Sequence, residues 1–367
     1  MALKEEALIL AKYLRDERKT WVPRITVNDF CAYKEPPRKG GAGVNVQAKL
    51  GITFGDLSIQ RYLKEGEDFL TVEKKGEKLM VTKKLSIGHE KLCNCPPSHL
   101  NCLTAKEWVK SQVAIWEFFY EKRDVRDKNI HPAVFPIALP AHCIKLFTHK
   151  GELVLDPFMG IGTTLVAAHD LERNAVGFDL KEEYVDFTKK RFEQSKLFET
   201  KQIAVCDDAH NIPQYLDEKT VSLCVTSPPY ANMLNKPRLN KSMRGNLRNN
   251  QHYQKVQQYS NDSRDLGTMD HEEYANNLTE IYKGILPLMK PKAHCVINVN
   301  DVWWDNKRYP THIYVVEALQ KAGFELRNIL IWDKRNLVNR VGIFGWPSNY
   351  IKLGATMEYI LDFWRPE

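Results

Sequence analysis

Thr226-Ser227-Pro228-Pro229-Tyr230 closes the mostly apolar run Val221–Val225 and leaves an unusual set of groups at its end. The two prolines fix φ and remove two backbone donors, so a strand stops there. What remains is a short hydroxyl side chain, unpaired carbonyl oxygens and an aromatic face. That set suits a planar ring bearing an amino group. The Ser227 hydroxyl and the Pro228 carbonyl can accept from an exocyclic NH2, while Tyr230 stacks on the ring. A plain proline-rich strand exit would carry the same residues, so the rest of the chain has to decide between the two.

Three other apolar runs also end in groups able to hold a ligand. Asp156 leads into Pro157-Phe158-Met159-Gly160-Ile161-Gly162-Thr163-Thr164. Glycines there let backbone approach a ligand closely, and a helix starting at Thr163 offers free N–H groups. The pattern is Gly-x-Gly, neither the full dinucleotide fingerprint nor a P-loop. Asp179 lies 19 residues past Gly160, where an acid can accept from ribose hydroxyls. Asp207-Asp208 end the next run, and either carboxylate could face an adenine amine. Acids cap helices after strands in many proteins. Their joint spacing, rather than any single acid, points to an adenosine-like cofactor beside a flat base.

Strands and helices must alternate to place these ends on one edge. Apolar runs at Leu153–Asp156, Ala175–Asp179, Gln202–Cys206, Val221–Val225 and Cys295–Asn300 read as strands. Between them lie helical patterns from Thr163 to about Glu172 and from about Glu182 to Leu197. Another starts at Asp270, with Glu273 three residues on, and ends at Pro287 or Pro291. A helix over Thr311–Ala322 precedes two last strands, Phe324–Trp332 and Glu358–Trp364. With no helix between them, those two pair antiparallel. The expected fold is therefore α/β, a mostly parallel sheet with an antiparallel terminal strand.

Upstream, Thr104-Ala105-Lys106-Glu107 has capping-box spacing and opens a helix expected to reach Lys122. Its apolar side would be Trp108, Ile115, Trp116, Phe119 and Tyr120. The prolines of His131–Pro136 make an extended entry to a helix near Pro140–Thr148. Residues 1–103 form an N-terminal region, a recognition domain or a structural extension, and 104–367 the catalytic domain. Within the first region, Leu8–Arg18 reads as a short helix, Glu35–Gly43 as a basic loop containing Arg38-Lys39, and Phe69–Val72 with Lys78–Lys83 as a hairpin.

The chain has 367 residues, 43% hydrophobic and 27% charged, with a net charge of +7. That balance permits a polyanionic partner. No apolar run approaches the ~20 residues of a membrane span. The first residues carry early acids and no signal-peptide pattern, and the eight cysteines are scattered, which points to a reduced, intracellular setting. Cys93, Cys95, His99 and Cys102 have ligand types that suit zinc. Their Cys-x-Cys spacing and adjacent prolines do not match a standard finger, so the sequence alone assigns no metal.

Asp156–Thr164 followed by Thr226–Tyr230 resembles the amino-methylating, S-adenosylmethionine-dependent DNA methyltransferases, over roughly residues 129–365. The Ser-first tip is similar to that of the N4-cytosine members; N6-adenine members more often carry Asp or Asn there. The resemblance implies a class I, Rossmann-like methyltransferase fold with an N-terminal extension. It implies that His131, Pro132, Phe135, Asp156, Phe158, Gly160, Gly162 and Thr163 surround the cofactor. Asp179 would bind its ribose and Asp208 its adenine, with Asp207 the rival. Ser227, Pro228, Pro229 and Tyr230 would hold a base flipped from double-stranded DNA. Here the glycine half precedes the Ser-Pro-Pro-Tyr half, an order uncommon among such enzymes, which leaves the target-recognition region unplaced. C5-cytosine chemistry needs a thiolate, normally in a Pro-Cys pair, and the sequence has none.

Residues 231–267 fit that reading as a DNA-contacting loop. Lys236, Arg238, Lys241, Arg244 and Arg248 are interleaved with Asn, Gln and Tyr, a composition for phosphate contacts and stacking. The expectation is a cytosine-N4 DNA methyltransferase of a prokaryotic cytoplasm, associated with the nucleoid, and either paired with a cognate restriction endonuclease or an unpaired modification enzyme. N6-adenine methylation, RNA methylation and a catalytically silent DNA-binding subunit are the alternatives.

Overall fold

The computed structural model describes residues 22–26, 69–75, 78–127, 134–192, 199–231, 262–304, 307–336 and 356–367. Two units are distinguished by their internal contacts: Met1–Ser86 with Pro213–Asp217, and Ile87–Ile212 with Glu218–Glu367. In the first, β1 (Val22–Thr26), β2 (Phe69–Lys75) and β3 (Lys78–Lys84) form an antiparallel sheet in that order. The expected hairpin is therefore present. Pairing continues to Lys75↔Lys78, further into the charged segment than the sequence suggests. The expected helix at 8–18 and the loop at 35–43 lie outside the described residues.

In the second unit, α1 (Ala105–Ser111) opens on a complete capping box: Thr104 Oγ1 accepts from Glu107 N, and Glu107 Oε2 accepts from Thr104 N at 2.9 Å. The helix does not reach Lys122. It stops at Ser111, and β4 (Ile115–Glu117) follows as an edge strand. The aromatic stripe had a period of two, not 3.6. Trp116 and Phe118 are buried while Ile115 and Phe119 are more than 60% exposed. β-Branched Val113 and Ile115 favour that outcome.

After α2 (Lys122–Asp127), α3 (Ala138–Phe147) begins with Pro140 in its first turn, where the missing N–H costs nothing. Then β5 (Leu153–Asp156), α4 (Thr163–Asp170), β6 (Asn174–Asp179), α5 (Glu182–Phe192), β7 (Gln202–Cys206) and β8 (Val221–Thr226) follow in alternation. α6 (His271–Ile285) is capped by Asp270, whose carboxylate accepts from Glu272 N and Glu273 N at 2.9 Å. It ends at Ile285, ahead of a 3-10 turn containing Pro287. Pro291 falls inside β9 (Met289–Val299), which starts six residues before the expected Cys295. A short hairpin not anticipated from sequence, β10 (Val302–Trp304) with β11 (Lys307–Tyr309), leads to α7 (Thr311–Lys321). β12 (Glu325–Asp333) and β13 (Met357–Trp364) close the chain.

The large sheet has the order β4-β12-β13-β9-β8-β5-β6-β7. All pairs are parallel except those of β13, which runs antiparallel to both β12 and β9. β5 and β8 are buried at every residue, as strands covered on both faces must be. One face, through Val154, Leu223, Val225 and Val296, packs with Cys143 and Ile144 of α3, Leu165 of α4 and Val185 of α5 in a single apolar cluster. Cys224 and Cys295, of opposite parity, lie against Tyr282 of α6. The chain steps outward from β5 through β6 to β7, then returns to place β8 on the other side of β5. Open α/β sheets bind ligands beyond the carboxyl ends of the strands at such a reversal.

Candidate active site

Asp156 ends β5 and Thr226 ends β8, the two strands flanking the reversal. Thr226 Oγ1 donates to Asp156 Oδ1 at 2.5 Å, and Phe158 N donates to the same oxygen at 3.1 Å. Both residues are 1% exposed. Burial pushes the Asp156 carboxyl up to about 6, against the hydroxyls of Thr164 and Thr226 and the Phe158 N–H, which favour the charged form. The start of the glycine loop and the root of the Ser-Pro-Pro-Tyr tip are thereby tied together.

The loop then leans over β6. Met159 N donates to Phe178 O at 2.9 Å and Gly160 N to Asp179 Oδ2 at 3.0 Å. Gly162, at φ +78°, turns the chain into α4, a conformation that favours glycine. Its Cβ-less face lies on Thr188, where an added Cβ would sit 2.4 Å from Cγ2. Asp179 also accepts from Lys181 N at 2.8 Å. Burial raises its carboxyl to about 7. The two N–H donors oppose that rise, and the negative charges of Asp265 and Asp156 add to it.

At the end of β7, Asp207 Oδ1 accepts from Asp208 N at 2.8 Å and from Asn211 Nδ2 at 2.9 Å. Asp208 Oδ1 accepts from His210 N at 2.9 Å and pairs with the His210 ring at 2.7 Å. Burial pushes Asp208 up, but those His210 contacts outweigh it and hold the carboxyl below its ordinary value. At the tip, Ser227, Pro229 and Tyr230 are half-buried and Pro228 is buried. The Tyr230 hydroxyl accepts from Asn300 N at 3.0 Å, which fixes the ring against the end of β9.

His131 and Pro132 lie outside the described residues, as do Lys236, Arg238, Lys241, Arg244 and Arg248. The chain becomes described again at Val134, which packs on Ile161 of the glycine loop and on Tyr184. Phe135 packs against the main core cluster. Arg264, from the same basic segment, is engaged by Asp262 through Nε and Nη2. Sequence reasoning missed three contributors and gave no role to a fourth, Thr226, which it had quoted at the head of the tip. Thr226 and Asn300 act only through a strand neighbour, and Asp265 is buried beside Asp179. Gly177 has no Cβ where Met159 and Leu165 pack against β6. The donor set fits an adenosyl group: successive strand ends carry the half-buried carboxylates Asp179 and Asp207-Asp208, which suit hydroxyl and amine donors, beside the glycine turn.

At the opposite end of β5, Cys93, Cys95 and Cys102 converge with His149. His99, the histidine the sequence had grouped with them, is not among the four.

The chain matches a family model for N6 and N4 methyltransferases, described as DNA methylase, over residues 38–190 and 221–367. Asp207 and Asp208 fall between the matched segments. It is 35% identical over 120 residues to the Type II methyltransferase M.BglI of Bacillus subtilis, covering 32% of this chain and 33% of that protein. It is 35% identical over 91 residues to M.MjaI of Methanocaldococcus jannaschii, covering 23% and 28%. Against M.SmaI of Serratia marcescens it is 46% identical over 61 residues, covering 17% and 21%. The alignments thus span a fifth to a third of these curated relatives. The family match takes in both the glycine loop and the Ser-Pro-Pro-Tyr tip, and the chain belongs to the DNA methylase family of amino-directed N6 and N4 methyltransferases, whose cofactor is S-adenosylmethionine.

Proposed function

We propose that the chain transfers a methyl group from S-adenosylmethionine to the exocyclic N4 of cytosine in double-stranded DNA. The observation that carries this reading is the Thr226–Asp156 hydrogen bond, which joins the base-holding tip to the cofactor loop at the reversal of strand order. The choice of cytosine rests on Ser227, the first residue of the tip.

S-Adenosylmethionine, when bound, supplies an electrophilic methyl group on a sulfonium centre. Asp179 accepts from its ribose, one of Asp207 and Asp208 accepts from its adenine amine, and the Asp156–Gly162 loop gives it backbone to lie against. An aromatic amine is a weak nucleophile because its lone pair is delocalised into the ring. Ser227 Oγ and Pro228 O accept from the two N4–H bonds, favour a pyramidal nitrogen and aim its lone pair. Tyr230, braced by Asn300 N, fixes the plane of a base that has left the duplex. The gain comes mainly from positioning, and the nitrogen sheds its proton without a covalent enzyme intermediate. Lys236, Arg238, Lys241, Arg244 and Arg248 contact DNA phosphates. Kinship with Type II methyltransferases supports a place beside a cognate restriction endonuclease. No described helix is long and apolar enough to cross a membrane.

Methyl-labelled cofactor offered with duplex DNA and, separately, with tRNA tests the reading. Label is expected in DNA alone. Label in tRNA, or DNA binding with no label transferred, overturns it.

A further inference from the structure

The geometry points to a structural zinc site, Cys93-Cys95-Cys102-His149, that clamps the segment before α1 to the turn between α3 and β5. Four ligand atoms, three Sγ and His149 Nδ1, lie within 4.8 Å of one another. The sulfur–sulfur separations are 3.3 Å for Cys93–Cys95, 3.5 Å for Cys93–Cys102 and 3.7 Å for Cys95–Cys102. His149 Nδ1 is 3.3 Å from Cys93 Sγ and 3.8 Å from Cys102 Sγ. A tetrahedron with Zn–S of about 2.3 Å and Zn–N of about 2.0 Å has edges of roughly 3.8 Å between sulfurs and 3.5 Å from sulfur to nitrogen. Five of the six edges match those lengths to within about half an ångström, and the sixth, from Cys95 Sγ to the His149 ring, lies within 4.8 Å.

Thiol chemistry alone gives no reason for this convergence. All three cysteines are free, three cannot pair evenly in disulfides, and an S–H is a weak donor. The Lys150 backbone N–H is directed at Cys93, which Lys91 also faces, and the Arg173 guanidinium reaches Cys102. Arg173 is itself held beside the histidine, donating to Thr148 Oγ1 at 3.1 Å and to Thr148 O at 2.7 Å. Three thiolates, an imidazole and Zn2+ carry a net charge of −1, which these donors and cations offset. Binding expels the three thiol protons.

The four protein ligands close the coordination sphere, as structural sites do. They also sit at the start of β5, away from Asp156 at its end, so the metal has no part in methyl transfer. It fastens a loop already docked by Leu92 N to Lys150 O at 2.8 Å and by the Asn101 side chain to Leu146 O. This inference stands independently of the proposed reaction.

Metal analysis of the full chain, purified without chelator and under reducing conditions, tests it. About one zinc per chain is expected, and cobalt exchange should give the visible bands of tetrahedral cobalt–thiolate. Cys102→Ser and His149→Ala should weaken binding by more than the roughly 100-fold that losing an outer-shell partner can cause. His99→Ala should leave it unchanged. Should the variants fail to fold, the wild-type chain decides alone. Wild-type protein that carries no zinc and gives no cobalt–thiolate bands overturns the site. So does zinc lost in His99→Ala but kept in His149→Ala.

Discussion

Thr226 donates its hydroxyl hydrogen to Asp156 at 2.5 Å, joining the last residues of two adjacent parallel strands. Thr226 opens the Ser-Pro-Pro-Tyr tip and Asp156 opens the glycine loop, so one bond ties together the two halves of the proposed site. Neither partner has water to turn to if the bond is lost.

Thr226→Val keeps the shape and removes the donor. Folding stability should fall by about 2 kcal/mol, the scale of a hydrogen bond to a buried charged group. With its carboxyl raised to about 6, Asp156 is largely protonated at pH 5 and ionised at pH 8. The hydroxyl matters most to the ionised form, so the loss should be larger at pH 8. Denaturant unfolding at the two pH values checks this; an equal loss would remove Thr226 from the account of Asp156.

Asp179 gives a pH dependence of opposite sense for folding and for binding. Its folded value, about 7, lies above the ordinary 3.8, so its contribution to stability declines as pH rises from about 4 to about 7. Cofactor binding runs the other way, because the ionised carboxylate is the better acceptor for ribose hydroxyls. Affinity should weaken roughly tenfold between pH 8 and pH 6. Calorimetry should show that slope, and Asp179→Asn should flatten it.

Gly177→Ala places a methyl group 2.6 Å from Met159 Sδ, 2.7 Å from Met159 Cβ and 2.8 Å from Leu165 Cδ1. The Met159 Cβ cannot swing aside without moving the glycine loop. A loss of about 1–3 kcal/mol is expected, together with weaker cofactor binding. Unchanged affinity in the folded variant would show that the loop does not depend on this contact.

Ser227→Ala should retain cofactor affinity while methyl transfer slows by about 10²–10³-fold, the effect of removing one hydrogen bond aimed at the reacting group. Parallel loss of both would mean that the tip is a structural element only.

Much of this fold is legible in the chain because local signals and burial agree. Leu153–Asp156 and Val221–Thr226 are mostly apolar runs of strand length, as a doubly covered strand requires, and Asp270 with Glu273 marks a helix start. The 19-residue step from Gly160 to Asp179 takes in the end of the glycine loop, α4 and β6, and it closes as a hydrogen bond. The aromatic run after Thr104 misleads because a long amphipathic helix and a short helix followed by an edge strand share its composition. Burial of alternate residues separates them, and that depends on β12, whose paired residues lie 216 positions downstream. Gly177 reads as an ordinary strand residue until Met159 is packed over it. His149 stands 47 residues from Cys102, so spacing drew attention to the nearer His99 instead.

Digestion of DNA exposed to the chain and cofactor, with mass identification of the modified nucleoside, addresses the reaction most directly. A Ser227-led tip that accepts from an exocyclic cytosine amine predicts N4-methylcytosine. N6-methyladenine alone, or DNA left unmodified by protein that binds the cofactor, would contradict it.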